Sequence, residues 1–126
     1  MPTEKLASGD AAEIEVEVTT DLTTNRTGQP GADVLSTPSL LKLMEMCSIE
    51  LTDPRLADGH ATVGYAVDGL RHMAPTVLGA VVRVRSVITE VNGTRLSYEI
   101  EAFEGDKQIG VAKHKRAVIS KDGASV

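Results

Sequence analysis

The chain has 126 residues, enough for one domain whose core needs neither disulfides nor a metal. Hydrophobic residues make up 41% and charged residues 25%, as in ordinary soluble proteins. A net charge of −5 argues against a nucleic-acid backbone as partner, which calls for a basic face, but leaves small anionic ligands open.

Residues 1–12 are polar and small and are expected to fray. They lack the apolar run of a signal peptide, and no apolar stretch reaches the ~18 residues of a membrane span, so a cytoplasmic protein is expected. Residues 13–19 alternate strictly, with Ile14, Val16 and Val18 against Glu13, Glu15 and Glu17. That pattern predicts a half-buried strand with an acidic wet face. Residues 20–33 are turn-rich and read as a long loop.

Residues 36–53, STPSLLKLMEMCSIELTD, form the one convincing helix. Ser36 or Thr37 caps its start, and Pro38 fits the first turn, where its missing N–H is no loss. Leu40, Leu41, Met44, Cys47, Ser48 and Leu51 make one broad apolar-to-small face, and Asp53-Pro54 stops the helix. Cys47, the only cysteine, lies on that face and reads as an inert buried thiol.

The remainder reads as strand. Residues 60–71 carry Val63, Tyr65 and Val67, with Gly64 and Gly69 marking bulges or close backbone approach. Residues 73–79, with Pro75 and Gly79, are a break. Residues 79–91 are β-branched, and Asn92-Gly93 predicts a tight hairpin with a type I′ turn. Residues 94–103 alternate, with Leu96, Tyr98, Ile100 and Ala102 on one face; Glu104 to Lys107 turn, and 108–120 form the last strand. The tail, 121–126, is polar. Hairpins force antiparallel pairing, so one helix and one antiparallel sheet give a two-layer α+β domain. The open sheet edge calls for cover, which dimerisation supplies.

Three features can carry chemistry. Glu45 sits between Met44 and Met46, at the border of the apolar stripe. Desolvated there, its carboxylate is tuned as a base; paired with Lys42 on a wet face, it is decoration. His72 ends a strand beside a break, where it either presents an imidazole to a cleft or is an ordinary surface histidine. His60, in a loop, and His114, among Lys113, Lys115 and Arg116, are alternatives; the latter group reads first as a solvated basic face. Thr37 either caps the helix or offers a hydroxyl beside free helix N–H groups that hold an anion or polarise a carbonyl. Direct Thr37–Glu45 contact is excluded in regular helix, since eight residues separate them by about 12 Å.

The stretches STPSLLKLMEMCS, RHMAPTVLG and GVAKHKRAVIS, in that order, resemble the fluoroacetyl-CoA thioesterase branch of the hotdog superfamily. Thr37 and Glu45 match a T-x(7)-E spacing on the central helix, His72 an H-x-A-P-T strand end, and His114 with Arg116 an H-x-R-x-V final strand. The resemblance spans roughly residues 34–120 and implies a hotdog fold, one helix wrapped by a five- or six-stranded antiparallel sheet, in a single domain. It implies a homodimer with its site near the subunit interface, and hydrolysis of a small or medium acyl-CoA thioester to a carboxylate and free CoA. Carried over by motif, Thr37, Glu45 and His72 are the catalytic set, and Ser36, Gly64 and Arg116 meet the substrate. No metal, no cofactor beyond the CoA of the substrate, no nucleic acid and no membrane are expected. The chain departs from the family at Tyr65, where a Gly-Thr pair is usual; Gly64 stands one step earlier, and a bulge at Gly69 would absorb the offset. No Phe lies between residues 20 and 40, so fluoroacetyl specificity is not implied. The main alternative is a non-catalytic module binding acyl-CoA or acyl-carrier protein on the same fold. A hydratase is disfavoured, because no Asp stands beside His72 in sequence.

Overall fold

The computed structural model describes residues 1–25 and 31–123. The elements are β1 (Ala11–Glu17), a 3-10 turn at Thr20–Leu22, α1 (Thr37–Thr52), a second 3-10 turn at Asp53–Arg55, β2 (His60–His72), β3 (Val81–Asn92), β4 (Arg95–Glu104) and β5 (Lys107–Ser120). The strands form one antiparallel sheet in the order β1-β3-β4-β5-β2. This is the expected α+β arrangement, with five strands. Of the expected loop at 20–33, residues 26–30 lie outside the described residues, as do 124–126 of the tail.

The inner face of the sheet is built by alternation. Val82, Val84 and Ile88 of β3, Leu96, Tyr98, Ile100 and Ala102 of β4, and Ile109, Ala112 and Val118 of β5 are all buried. Against them α1 sets Leu40, Leu43, Met44, Cys47 and Leu51. Each such aliphatic side chain contributes about 1.5–3 kcal/mol by leaving water. Leu43 joins the core, whereas Leu41, expected there, is half-buried. A curled sheet meets a wider arc of the helix than a flat partner does, so the buried stripe is broader than the wheel alone suggests. Helix and sheet approach closely at Gly110, where a Cβ would lie 2.8 Å from Leu40 Cδ2.

On the outer face charges alternate across the strands. Glu13 is paired with Arg85 and Arg85 with Glu101; Glu99 is paired with Lys113, which pairs with Asp68. Such a ladder of opposite charges supports the sheet and leaves no basic field.

Three expectations are corrected. The N-terminal residues are packed: Leu6 is buried, Thr3 Oγ1 donates to Gly93 O at 2.9 Å, and Ala57 N–H donates to Pro2 O. Their few apolar side chains have a place on the end of the core that composition does not reveal. The β3–β4 hairpin exists, but Asn92 pairs with Arg95, so the turn residues are Gly93 and Thr94. Gly93 has φ 61° and no other residue type has positive φ among the described residues, which is a II′ pattern rather than I′. The basic run on β5 is also not uniformly solvated: Lys113 and Lys115 point out, while His114 and Arg116 point in and are buried. The strand period of two separates residues that composition groups together.

The link from β2 to β3 positions the site. With Pro75 and Gly79 (φ 88°), it carries the chain from one edge of the sheet towards the other. On the way it passes the start of α1, where Leu35 N–H donates to Thr76 O and Val34 bridges Val77.

Candidate active site

Ser36 is the helix cap: its hydroxyl accepts from Ser39 N–H at 3.2 Å and lies 2.8 Å from Ser39 Oγ. Its side chain is therefore engaged within the helix start. Capping by Ser36 frees Thr37, the first helical residue. Thr37 Oγ1 lies 2.9 Å from Nδ1 of His72, at the end of β2. Two of the sequence-derived site residues, 35 positions apart, thus form a hydrogen-bonded pair. Beside them lies a cavity of about 330 Å³, lined by Leu35, Thr37, His72, Met73 and Pro75 among others.

Burial holds the His72 pKa below the ordinary 6.5, so its imidazole is neutral near neutral pH. A neutral ring can accept the Thr37 proton at Nδ1 and carry its own proton on Nε2. That Nε2 is buried and has no hydrogen-bond partner among the described residues. Fewer helix N–H groups are free here than the sequence suggests. Pro38 has none, Ser39 donates to Ser36 Oγ and Leu40 to Ser36 O. Among the first four helical residues only the Thr37 N–H remains to face an anion.

Glu45 lies elsewhere. Its Oε2 is 3.3 Å from Arg116 Nη1 and 3.7 Å from His114 Nε2, and no contact joins it to His72. Arg116 is 4% exposed and makes four hydrogen bonds. Nε donates to Thr62 Oγ1 (2.8 Å), Nη2 to Thr62 O (3.0 Å), and Nη1 to Glu45 Oε2 and to His114 Nε2 (3.2 Å). The guanidinium is therefore a buried hub. Burial, and then the nearby Arg116 charge, hold His114 below the ordinary histidine pKa, against the Ala66 carbonyl and Glu45, which act the other way. The neutral ring donates from Nδ1 to Ala66 O (2.8 Å) and accepts at Nε2 from Arg116. It also stacks on Tyr98.

Gly64 is the floor under Glu45. A Cβ there would lie 2.8 Å from Glu45 Oε2, 2.9 Å from His114 Cε1 and 3.2 Å from Arg116 Nη1. Only glycine lets β2 approach this closely. The strand has irregularities at Tyr65 and at Gly69–Leu70, where Gly69 has φ 60°. Thus Thr37 and His72 form one group and Glu45, Arg116 and Gly64 another. His114 and Thr62 join the second group; their inward alternation on β5 and β2 is the signal that identifies them. His60 turns to the Ala57 and Asp58 carbonyls and joins neither group. Among the described residues no group of three or more His, Cys, Asp or Glu could hold a metal ion, and no helix is long and apolar enough to cross a membrane.

The model of the family described as FlK, fluoroacetyl-CoA-specific thioesterase, matches residues 18–122. The chain belongs to the FlK family. A fluoroacetyl-CoA thioesterase from Streptantibioticus cattleyicolor is 34% identical over 87 residues, 69% of this chain and 62% of that protein's length. A variant of FlK solved in complex with acetyl-CoA superposes with a TM-score of 0.84 at 27% identity, covering 93% of this chain and 92% of that one. A hot-dog-like protein from Thermanaerovibrio acidaminovorans gives a TM-score of 0.85 at 23% identity over 95% and 88% of the two chains, which establishes the hotdog fold. Within the FlK family match lie both groups of site residues.

Proposed function

We propose that this chain hydrolyses acyl-CoA thioesters to a carboxylate and free CoA. The observation that carries the reading is the Thr37–His72 hydrogen bond beside a cavity, within a chain of the FlK family. In the favoured course His72 Nδ1 takes the Thr37 proton as Oγ1 attacks the thioester carbonyl. The Thr37 N–H, at the positive end of α1, faces the oxyanion. The thiolate of CoA leaves with the proton from His72, and water, deprotonated by the same ring, releases the acyl group. Direct attack by water, with Thr37 holding the thioester, uses the same proton path.

The reading extends to a homodimer. Two sheet edges are open. β1 is short and carries exposed Glu13, Glu15 and Glu17, which discourage pairing. β2 is long and exposes Val63, Tyr65 and Val67, with Met46 and Ile49 of α1 also exposed. A second copy pairing along β2 covers this surface. Gly64 and His72 lie symmetrically about Asp68, so a two-fold axis near there sets the Glu45 group of one copy against the Thr37–His72 pair of the other. Opening of the His72 ring edge on association lets its buried, unpartnered Nε2–H meet that carboxylate. An acyl-CoA substrate and a lone buried cysteine accord with a cytoplasmic protein.

Thiol release from a panel of short and medium acyl-CoAs tests the activity. His72→Ala and Glu45→Ala are expected to lower kcat by about 10²–10⁴-fold, and Thr37→Ala distinguishes nucleophile from clamp when combined with mass spectrometry for an acyl group on Thr37. Full activity in both the His72 and Glu45 variants overturns the assignment.

A further inference from the structure

A chain of hydrogen bonds runs behind Arg116 that the proposed chemistry does not use directly. Asp53 follows the last residue of α1, and its carboxylate grips Thr62 of β2 twice. Oδ1 accepts from Thr62 Oγ1 at 2.6 Å and Oδ2 from Thr62 N–H at 3.2 Å. Thr62 is 7% exposed. A threonine hydroxyl has one proton and two lone pairs. Its proton goes to Asp53, so its lone pairs face Arg116 Nε at 2.8 Å, and its own carbonyl takes Nη2 at 3.0 Å.

These contacts fix the guanidinium along its Nε–Nη2 edge. With Nε and Nη2 held by one residue, Nη1 is left pointing at Glu45 and His114. The double grip of Asp53 sets the Thr62 rotamer, and β-branching leaves that side chain few others. A buried, planar cation fixed in this way aims a carboxylate as a free lysine cannot. The end of α1 is thereby tied to the same hub as its middle, where Glu45 stands.

We propose that Asp53 and Thr62 are positioning residues that act through Arg116 to hold the Glu45 carboxylate in its reactive orientation. The proposal rests on the thioesterase reading for its kinetic consequence, but its structural content does not. Removing the Thr62 hydroxyl frees Nε and leaves the Asp53 carboxylate without its strongest partner, while Glu45 itself is unaltered. The binding of the thioester at the Thr37–His72 pair is untouched.

The test uses full-length Thr62→Val, Thr62→Ser and Asp53→Asn, each first checked for folding by its thermal transition. Thr62→Val is expected to lower kcat about 10- to 100-fold, the consequence of losing hydrogen bonds to charged groups, with KM changed less than about threefold. Thr62→Ser, which keeps the hydroxyl, recovers most of the wild-type kcat, and Asp53→Asn falls between. A purely structural role predicts loss of folded protein without this split and without serine rescue. Wild-type kcat in a folded Thr62→Val, or a raised KM at unchanged kcat, overturns the proposal. The Arg116 Nε–H resonance by NMR supplies a readout independent of turnover. It is expected to exchange slowly in wild type and Thr62→Ser, and to broaden or move in Thr62→Val and Asp53→Asn. An unaltered resonance in both overturns the proposal. If wild type releases no thiol from any acyl-CoA, the function reading fails alone, and the resonance still decides whether Asp53 and Thr62 hold Arg116.

Discussion

Within the single chain, burial tunes His72. Desolvation disfavours its charged form and holds its pKa below 6.5. The ring therefore remains able to accept the Thr37 proton somewhat below that pH. In the proposed dimer the carboxylate set against Nε2–H works the other way, so Glu45→Gln is expected to move the acidic limb of kcat/KM to lower pH, and an unmoved limb contradicts that contact. Burial also sets a pH dependence of stability. Both His72 and His114 are held low in the folded chain, so as pH falls from about 6.5 the unfolded chain takes up protons first. Their contribution is complete above that pH and is lost towards the lower folded values. Cys47 is the contrasting residue. Burial raises its pKa to about 11, and its thiol points at the Ala12 and Val84 carbonyls, each 3.4 Å away. It is inert packing, as its place in the apolar stripe suggests.

The helix shows how one element serves both packing and the candidate site. Its first residues are divided by role: Ser36 caps, Pro38 starts the turn, and Thr37 between them faces His72. Ser36→Ala is expected to destabilise the fold by about 1 kcal/mol, seen as a lower midpoint in denaturant. No change in the midpoint contradicts the capping role. Its interior is pressed against β5, where Gly110 leaves no room for a Cβ beside Leu40 and the Arg71 carbonyl. Buried hydroxyls on its far side are matched with partners on the sheet, Ser48 with Ser86 and Thr52 with the Tyr98 hydroxyl. Those pairs leave no orphaned polar group on the side where the helix is most enclosed. The capping choice between Ser36 and Thr37 was not readable from composition, because both hydroxyls suit the position; the contact with β2 decided it.

For the whole molecule, the separation of the two site groups matters most. About 12 Å of helix lies between Thr37 and Glu45, and each end meets a different part of β2. In the proposed dimer each site draws on both copies, which a complementation experiment can detect. Glu45→Ala and His72→Ala are each expected to be inactive as homodimers. Co-expressed, half of the dimers are mixed and each holds one intact composite site, so about a quarter of wild-type activity returns. No recovery in demonstrably mixed dimers places both residues in the same chain's site. A Tyr65→Lys or Val67→Lys change on the exposed edge is expected to shift the protein towards monomer in sedimentation, in parallel with loss of activity.

The sequence by itself determined the elements and most of their limits. Strand alternation, the helical stripe, Asn92-Gly93 and the proline break are local signals, and local backbone preference is what they report. It also singled out Thr37, Glu45, His72 and Arg116, through three motifs in order, and Gly64 as a point of close backbone approach. Only the tertiary structure decided which of these meet. The Thr37–His72 contact spans 35 positions and the Arg116–Glu45 contact 71, distances over which spacing carries no geometric information. It chose Ser36 over Thr37 as the cap, and split a basic run into outward lysines and an inward His114–Arg116 pair. It also placed Glu45 with Arg116 rather than with His72. The reason is the sheet's curl about the helix: it brings different parts of β2 to the two ends of the Thr37–Glu45 segment, and no periodicity along the chain encodes that.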